Sequence, residues 1–209
     1  KTYDGSAIFA SSNSAVTYTV TTGVGSETLS LSGSATANSA NVQTVSSLPT
    51  TGLSLVNGSG GGLASNYVLP SSTSNVTIVA KVITASLSNQ TKVYDTTTSA
   101  TLTAGTISSN GSYSLSGFVA GEGAYITQTL GNYNSANVAS ASTVSAVIGS
   151  SYVAKAGTTL SNYALPTTAS TSSGGGAITA APLTMTANDA TTYVGVSPTL
   201  TYRLDGLVG

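Results

Sequence analysis

The sequence contains no Cys, no His and no Trp, and only 5% of its 209 residues are charged. Without Cys the chain has no disulfide and no thiol nucleophile, and without His it lacks the usual general base and a common metal ligand. Ser is abundant, but no base is present to activate it. The net charge of −1 gives no reason to expect nucleic acid as a partner. We therefore expect no enzymatic activity, no cofactor and no metal site.

Long apolar runs are also missing. No stretch approaches the roughly 20 residues that a membrane-spanning helix needs, so we expect no membrane insertion. No signal peptide is visible, and the chain opens at Lys1 rather than Met. We expect the sequence to be an excerpt of a longer protein.

The residues that are present favour β-structure. Ser and Thr together account for 71 of the 209 residues, and 40% of the residues are apolar, which is enough to bury a core. Thr, Val, Ile and Tyr suit a pleated sheet, whereas Gly, Asn and Ser suit its turns. Apolar and polar residues alternate in many short segments, as at 75–87 and 199–204. The sequence therefore predicts an all-β fold.

Several short phrases occur twice, in the same order. The matched pairs are SNYVLP (65–70) with SNYALP (161–166), KTYDG (1–5) with KVYDT (92–96), NSANV at 38–42 and 134–138, and LSLSG (29–33) with YSLSG (113–117). Three of these pairs are 91 to 96 positions apart, and the last pair is 84 apart. A constant order of phrases indicates a tandem duplication.

A third unit begins before the chain ends, because residues 82–95 parallel residues 182–195. We divide the chain into repeat one (1–80, without its first strand), repeat two (81–180) and the start of a third repeat (181–209). Several short strands in each repeat predict tandem antiparallel β-sandwiches of the immunoglobulin-like type. A β-solenoid is the alternative, although it needs a shorter rung of about 20–30 residues.

The junctions between repeats contain almost no Gly, so the repeats are expected to form a stiff rod rather than flexibly linked domains. We expect the side chains that fix the angle between repeats to be buried by both neighbours. These inter-repeat residues are Val82, Ile83, Leu183 and Met185.

Residues at equivalent repeat positions are expected to be structural. Asp is suited to turns, and Tyr to the core or to a corner hydrogen bond. The repeated motif residues are Tyr3, Asp4, Asn66, Tyr67 and Pro70, with Tyr94, Asp95, Asn162, Tyr163 and Pro166. The tyrosines of repeat two alone are the candidates for a surface contact: Tyr113, Tyr125, Tyr133 and Tyr152. Glu27 and Glu122 show no repeated pairing, so neither is assigned a role.

The repeated phrases resemble the YDG-type repeat of very large bacterial surface proteins, and residues 181–209 resemble the start of the related MBG-type repeat. Such repeats occur in filamentous-haemagglutinin-like adhesins exported by two-partner secretion or by related exporters. The resemblance implies a secreted, cell-surface protein with an extended structure and no catalytic site.

We interpret the chain as a stalk or fibre segment of a secreted adhesin or biofilm-matrix protein, whose partners are neighbouring repeats of the same chain. Two alternatives stay open. One is a subunit of an extracellular filament, in which other copies of the chain are joined by strand exchange. The other is a carbohydrate-binding module, with the receptor or polysaccharide unspecified.

Overall fold

The computed structural model describes residues 1–10, 19–73 and 75–208. Across these residues the regular structure consists of short β-strands and two single-turn 3-10 helices, with no α-helix. Most strand pairs are antiparallel and belong to small sheets of two to four strands. The predicted all-β fold is confirmed. The abundance of β-branched and hydroxylic residues explains it, because these side chains suit a pleated, half-buried surface.

The chain packs into two compact units, and each is discontinuous in sequence. Unit 1 comprises Lys1–Ile83, Gly117–Gly123 and Ala156–Leu165. Unit 2 comprises Thr84–Ser116, Ala124–Lys155 and Pro166–Gly209. Two segments from the second half of the sequence therefore complete the unit that contains residues 1–83. The units are defined by packing and the repeats by sequence order, so the repeat boundaries stay a prediction.

Unit 1 is centred on the long strand β3. Its strands are β1 (Ile8–Ala10), β2 (Thr19–Thr21), β3 (Thr28–Thr36), β4 (Gln43–Val45), β5 (Leu48–Pro49), β6 (Leu53–Asn57), β7 (Ser72–Thr73), β8 (Val76–Ile78), β9 (Lys81–Val82) and β18 (Tyr163–Ala164). Strand β3 pairs with β1, β2 and β6, while β4 pairs with β8, and β5 with β7. Strand β18 runs parallel to β9. The buried apolar side chains include Phe9, Leu29, Leu48, Ile78 and Ile83.

Unit 2 has a four-stranded sheet in the order β12-β15-β16-β19. Its strands are β10 (Thr84–Leu87), β11 (Gln90–Val93), β12 (Ser99–Thr101), β13 (Tyr113–Ser116), β14 (Ala124–Ile126), β15 (Leu130–Tyr133), β16 (Val144–Val147), β17 (Tyr152–Ala154), β19 (Thr168–Ser170), β20 (Gly176–Thr179), β21 (Thr184–Ala187) and β22 (Tyr202–Asp205). The pairs β10–β13, β14–β17 and β21–β22 are antiparallel, and β11–β20 is parallel. Its core contains Leu87, Leu102, Ile126, Val144, Ile148 and Ile178.

One of the four phrase matches is wrong. Residues 29–33 lie in β3, which pairs with β6, whereas residues 113–116 form β13, which pairs with β10. Instead, the turn before β3 corresponds to the turn before β14. In the first turn the Glu27 N–H donates to the Val24 carbonyl at 3.0 Å, and in the second the Glu122 N–H donates to the Val119 carbonyl at 3.0 Å. The offset there is 95 positions, close to the spacing of the other pairs.

Candidate functional site

In each repeat a lysine forms an ion pair with an aspartate in a tight turn. The Lys1 Nζ lies 2.7 Å from the Asp4 Oδ1, and the Lys92 Nζ lies 2.6 Å from the Asp95 Oδ1. Each aspartate also accepts a backbone N–H two residues later, from Ser6 at 2.9 Å and from Thr97 at 3.0 Å. The hydrogen bond from Lys92 lowers the pKa of Asp95 to about 2. Both aspartates thus hold tight turns.

The repeated SNY phrases form the same local structure. Each contains a 3-10 helix, at Ala64–Asn66 and at Leu160–Asn162, followed by a tyrosine with extended backbone. The N–H of Tyr67 donates to the Ala64 carbonyl, and the N–H of Tyr163 donates to the Leu160 carbonyl. The two copies therefore lie in like elements, and both tyrosines follow their turn in the same way.

Tyr163 is buried within unit 1. Its ring meets Tyr3 edge-on at a centroid distance of 5.4 Å and lies 4.7 Å from the Phe118 ring. Its hydroxyl donates to the Glu122 Oε2 at 2.9 Å and accepts the Val119 N–H at 3.2 Å. The Tyr3 hydroxyl donates to the other carboxylate oxygen of Glu122 at 2.6 Å. One glutamate thereby joins two tyrosines that are far apart in sequence.

Burial raises the pKa of Tyr163 to about 12, and its hydrogen bond to the Glu122 carboxylate adds to the increase. Burial also raises the pKa of Tyr3, followed by the hydrogen bond and the charge of Glu122. Both shifts have the same physical cause, because a phenolate would be poorly solvated in this cluster and repelled by a carboxylate. Folding therefore favours the neutral form of both tyrosines.

Asn162 is the most deeply buried polar residue of the described chain, with 1% of its surface exposed. Its Oδ1 accepts the Val42 N–H at 2.9 Å, and its Nδ2 donates to the Asn41 Oδ1 at 2.8 Å. The next residues continue the attachment, because β18 pairs with β9 and the Ile83 N–H donates to the Ala164 carbonyl at 3.1 Å. Buried polar groups need such partners. We call the residues around this turn the Tyr163 seat: Tyr3, Asn41, Val42, Lys81, Ile83, Phe118, Val119 and Glu122.

The first copy of the turn is not covered in this way. The Tyr67 hydroxyl donates to the Glu27 Oε2 at 2.6 Å, which repeats the Tyr163–Glu122 bond. However, Asn66 is exposed, and Val68 has 94% of its surface exposed. Tyr67 is half-buried, and neither Tyr67 nor Val68 belongs to a strand.

The sequence pattern led us to assign no role to Glu27 or Glu122, and that interpretation is wrong. Both glutamates occupy one repeat position, and each accepts the hydroxyl of the tyrosine in an SNY turn. A usable signal was present, because VGSE at 24–27 and VAGE at 119–122 share Val and Glu at the same spacing. The incorrect LSLSG match placed these two phrases out of register.

The four expected inter-repeat residues differ in burial. Ile83 is 3% exposed, whereas Val82, Leu183 and Met185 are 69%, 56% and 68% exposed. The expected burial is wrong for those three. Val82 precedes Ile83 in an extended segment, so their side chains point to opposite faces. Met185 lies in β21, whose only partner among the described residues is β22, and no second layer covers that pair. Their role in fixing an inter-repeat angle stays a prediction.

The remaining motif residues and the repeat-two tyrosines mostly serve packing. The Pro166 carbonyl accepts the Tyr152 hydroxyl at 2.8 Å, and the Pro70 carbonyl accepts the Thr50 hydroxyl. Tyr94 is half-buried against the core of unit 2. Tyr113 and Tyr133 are each 4% exposed, so a surface-contact role is wrong for both, whereas Tyr125 and Tyr152 are half-buried.

Among the described residues, no three His, Cys, Asp or Glu side chains are grouped so that they could bind a metal ion. The same part of the chain contains no helix long and apolar enough to cross a membrane. The best-developed site is the Tyr163 seat, whose hydrogen bonds and ring contacts attach one chain segment to another.

Comparison with protein families gives one match. The family model of the YDG domain matches residues 1–75 and again residues 79–172. No curated protein and no solved structure is similar enough to match the chain.

Proposed function

The chain belongs to the YDG domain family, which covers residues 1–75 and 79–172, and from this premise we propose that it is a non-enzymatic structural segment. In this proposal it forms part of the stalk or fibre of a secreted bacterial surface adhesin or biofilm-matrix protein. Each repeat is an immunoglobulin-like antiparallel sandwich, and residues 181–209 begin an MBG-type repeat. Neighbouring repeats are the main partners.

One observation carries the proposal. The SNY turn of the second family match is buried against residues of the first match, within unit 1, through Asn162 and Tyr163. Only residues 76–78 separate the two matches, and they form strand β8 rather than a linker. Buried hydrogen bonds that attach one family match to the next are the kind of contact that a stalk of successive domains requires.

Small-angle X-ray scattering on the intact chain tests this function. We expect a single elongated conformation to fit the profile, and Asn162→Ala to broaden the fitted distribution of lengths. Asn66→Ala is the matched control and should leave the profile unchanged. A broad ensemble of bend angles in the unmodified protein would contradict the stalk.

The exposed pair β21–β22 favours a second candidate, the filament subunit joined by strand exchange. All eight residues of this pair are exposed, so β21 is accessible to another chain. Sedimentation velocity distinguishes the candidates. A filament subunit should form larger species as concentration rises, and deletion of residues 181–209 should abolish them, whereas a stalk segment should stay monomeric.

A further inference from the structure

Unit 2 contains an apolar groove of about 340 Å³ at the start of the third repeat. Its lining includes Tyr94, Asn137, Val138, Leu183, Leu207 and Val208. By repeat position, the first four correspond to Tyr3, Asn41, Val42 and Ile83, which all belong to the Tyr163 seat. The local geometry agrees, because the N–H groups of Asn41 and Asn137 each donate to a serine hydroxyl two residues earlier at 3.1 Å.

The other side of the groove has the same correspondence. Strand β21 pairs with β22 in the register that joins β10 to β13, with Thr184 opposite Asp205 as Thr84 is opposite Ser116. The residues after β22 are therefore the counterparts of those after β13. Gly206 and Gly117 both have positive φ, +96° and +109°, and a side chain on either would strike the carbonyl of Pro182 or Val82. Leu207 and Val208 then correspond to Phe118 and Val119 of the seat.

The groove differs from the seat in how far other residues of the chain cover it. In unit 1 the Asn162–Tyr163 turn fills the seat, and Ile83 is 3% exposed. In unit 2 the corresponding Leu183 is 56% exposed. Tyr3 is buried in the seat, whereas Tyr94 is only half-buried in the groove.

We propose that this groove is a docking site for a Ser-Asn-Tyr turn in the repeat that residues 181–209 begin. The incoming tyrosine ring packs between Tyr94 and Leu207, and its hydroxyl accepts the Val208 N–H. The incoming asparagine accepts the Val138 N–H and donates to Asn137. The inference is continuous with the observed Tyr163 seat, and it deepens the proposed function by naming the contacts through which repeats are added.

A second copy of the chain could offer its exposed Asn66–Tyr67 turn, but it fits less well. Its own turn at Thr22–Val24 is the counterpart of Gly206–Val208, because it precedes Glu27 as residues 117–119 precede Glu122. If a second copy docked in the same way, its Thr22–Val24 turn would lie where Gly206–Val208 already lies, and the two turns would clash. A repeat that continues from residues 206–208 avoids this conflict, so it is the occupant we assign.

The test is a chain in which the full 209-residue sequence is followed by a second copy of residues 121–180. Residues 206–208 then continue into copied equivalents of Glu122, Asn162 and Tyr163. Amide hydrogen exchange is measured by NMR in the extended and original chains. We expect the Val138 amide to exchange about tenfold more slowly in the extended chain, approaching the protection of the Val42 amide. Replacing the copied Tyr163 with Ala is the matched control and should reverse most of this protection.

Unchanged exchange at Val138, with the copied core protected, would overturn the docking site. If the copied residues do not fold, a peptide of residues 159–166 is titrated into the original chain to about 1 mM. Saturable shifts of the Val138 and Leu183 amides support the site, and their absence overturns it. If the original chain self-associates and Tyr67→Ala abolishes this, the occupant is a second copy and the proposal is wrong. If docking fails but the scattering of the original chain fits a rod, the docking site is wrong and the proposed stalk function still stands.

Discussion

The two Asn-Tyr turns have the same sequence and the same local fold, but very different surroundings. Both consist of a 3-10 helix and an extended tyrosine whose hydroxyl donates to a glutamate. Asn162 and Tyr163 are 1% and 5% exposed, while Asn66 is exposed and Tyr67 is half-buried. The comparison shows that the repeated phrase takes the same local fold in both copies, whereas its burial depends on segments distant in sequence.

The largest difference is expected between Tyr163→Ala and Tyr67→Ala. Truncating the buried Tyr163 removes two ring contacts and leaves a cavity, so the free energy of unfolding should fall by about 3–5 kcal/mol. Tyr67 is half-buried, and its truncation should cost about 1 kcal/mol. Urea unfolding followed by tyrosine fluorescence measures both. Equal losses would mean that the contacts around Tyr163 contribute little beyond those of the turn itself.

The asparagines sharpen the comparison because their substitution leaves the rings in place. Asn162→Ala removes the partner of the Val42 N–H and of the Asn41 side chain in a buried setting. An unsatisfied buried polar group costs about 1–3 kcal/mol, so we expect a loss of about 2–3 kcal/mol. Asn66→Ala should change stability by less than about 0.5 kcal/mol. The same unfolding experiment checks the pair, and a large effect of Asn66→Ala would show that the turn itself needs the asparagine.

Local features of this chain could be predicted from sequence, and long-range ones could not. Alternating Thr and Val residues predict the strands, and the repeated SNYVLP and SNYALP phrases indicate a common element. Alternation also places Val82 and Ile83 on opposite faces, so the expectation that both are buried contradicted the pattern that predicted the strand. Which copy of the turn is buried depends on the Tyr3, Asn41 and Glu122 side chains, which no local pattern brings together.

A substitution of Glu122 tests whether the charge of this side chain or only its shape stabilises the Tyr163 seat. Glu122→Gln keeps a side chain that can bond to both tyrosine hydroxyls but replaces charge-assisted hydrogen bonds with neutral ones. We expect a loss of about 1 kcal/mol, and less than about 0.5 kcal/mol for Glu27→Gln at the half-exposed copy. Thermal unfolding at low and moderate salt measures the difference. A gain in stability for Glu122→Gln would indicate that desolvation of the carboxylate outweighs its hydrogen bonds.

The last comparison concerns alkaline pH, where the buried turn should lose its advantage. The pKa of Tyr163 is about 12 in the folded protein, against an ordinary value of 10.0. A raised pKa means that folding favours the protonated tyrosine. The contribution of this tyrosine to the free energy of unfolding is therefore complete below pH 10 and is lost as pH rises toward 12. Tyr163→Phe removes this ionisation, and its free energy of unfolding should therefore decline less steeply between pH 9 and pH 11 than that of the unmodified chain. Urea unfolding at intervals across that range gives both slopes. Identical slopes would mean that the phenol of Tyr163 is ionised as easily in the folded chain as in the unfolded one, which would contradict the closed arrangement of Tyr163, Tyr3 and Glu122.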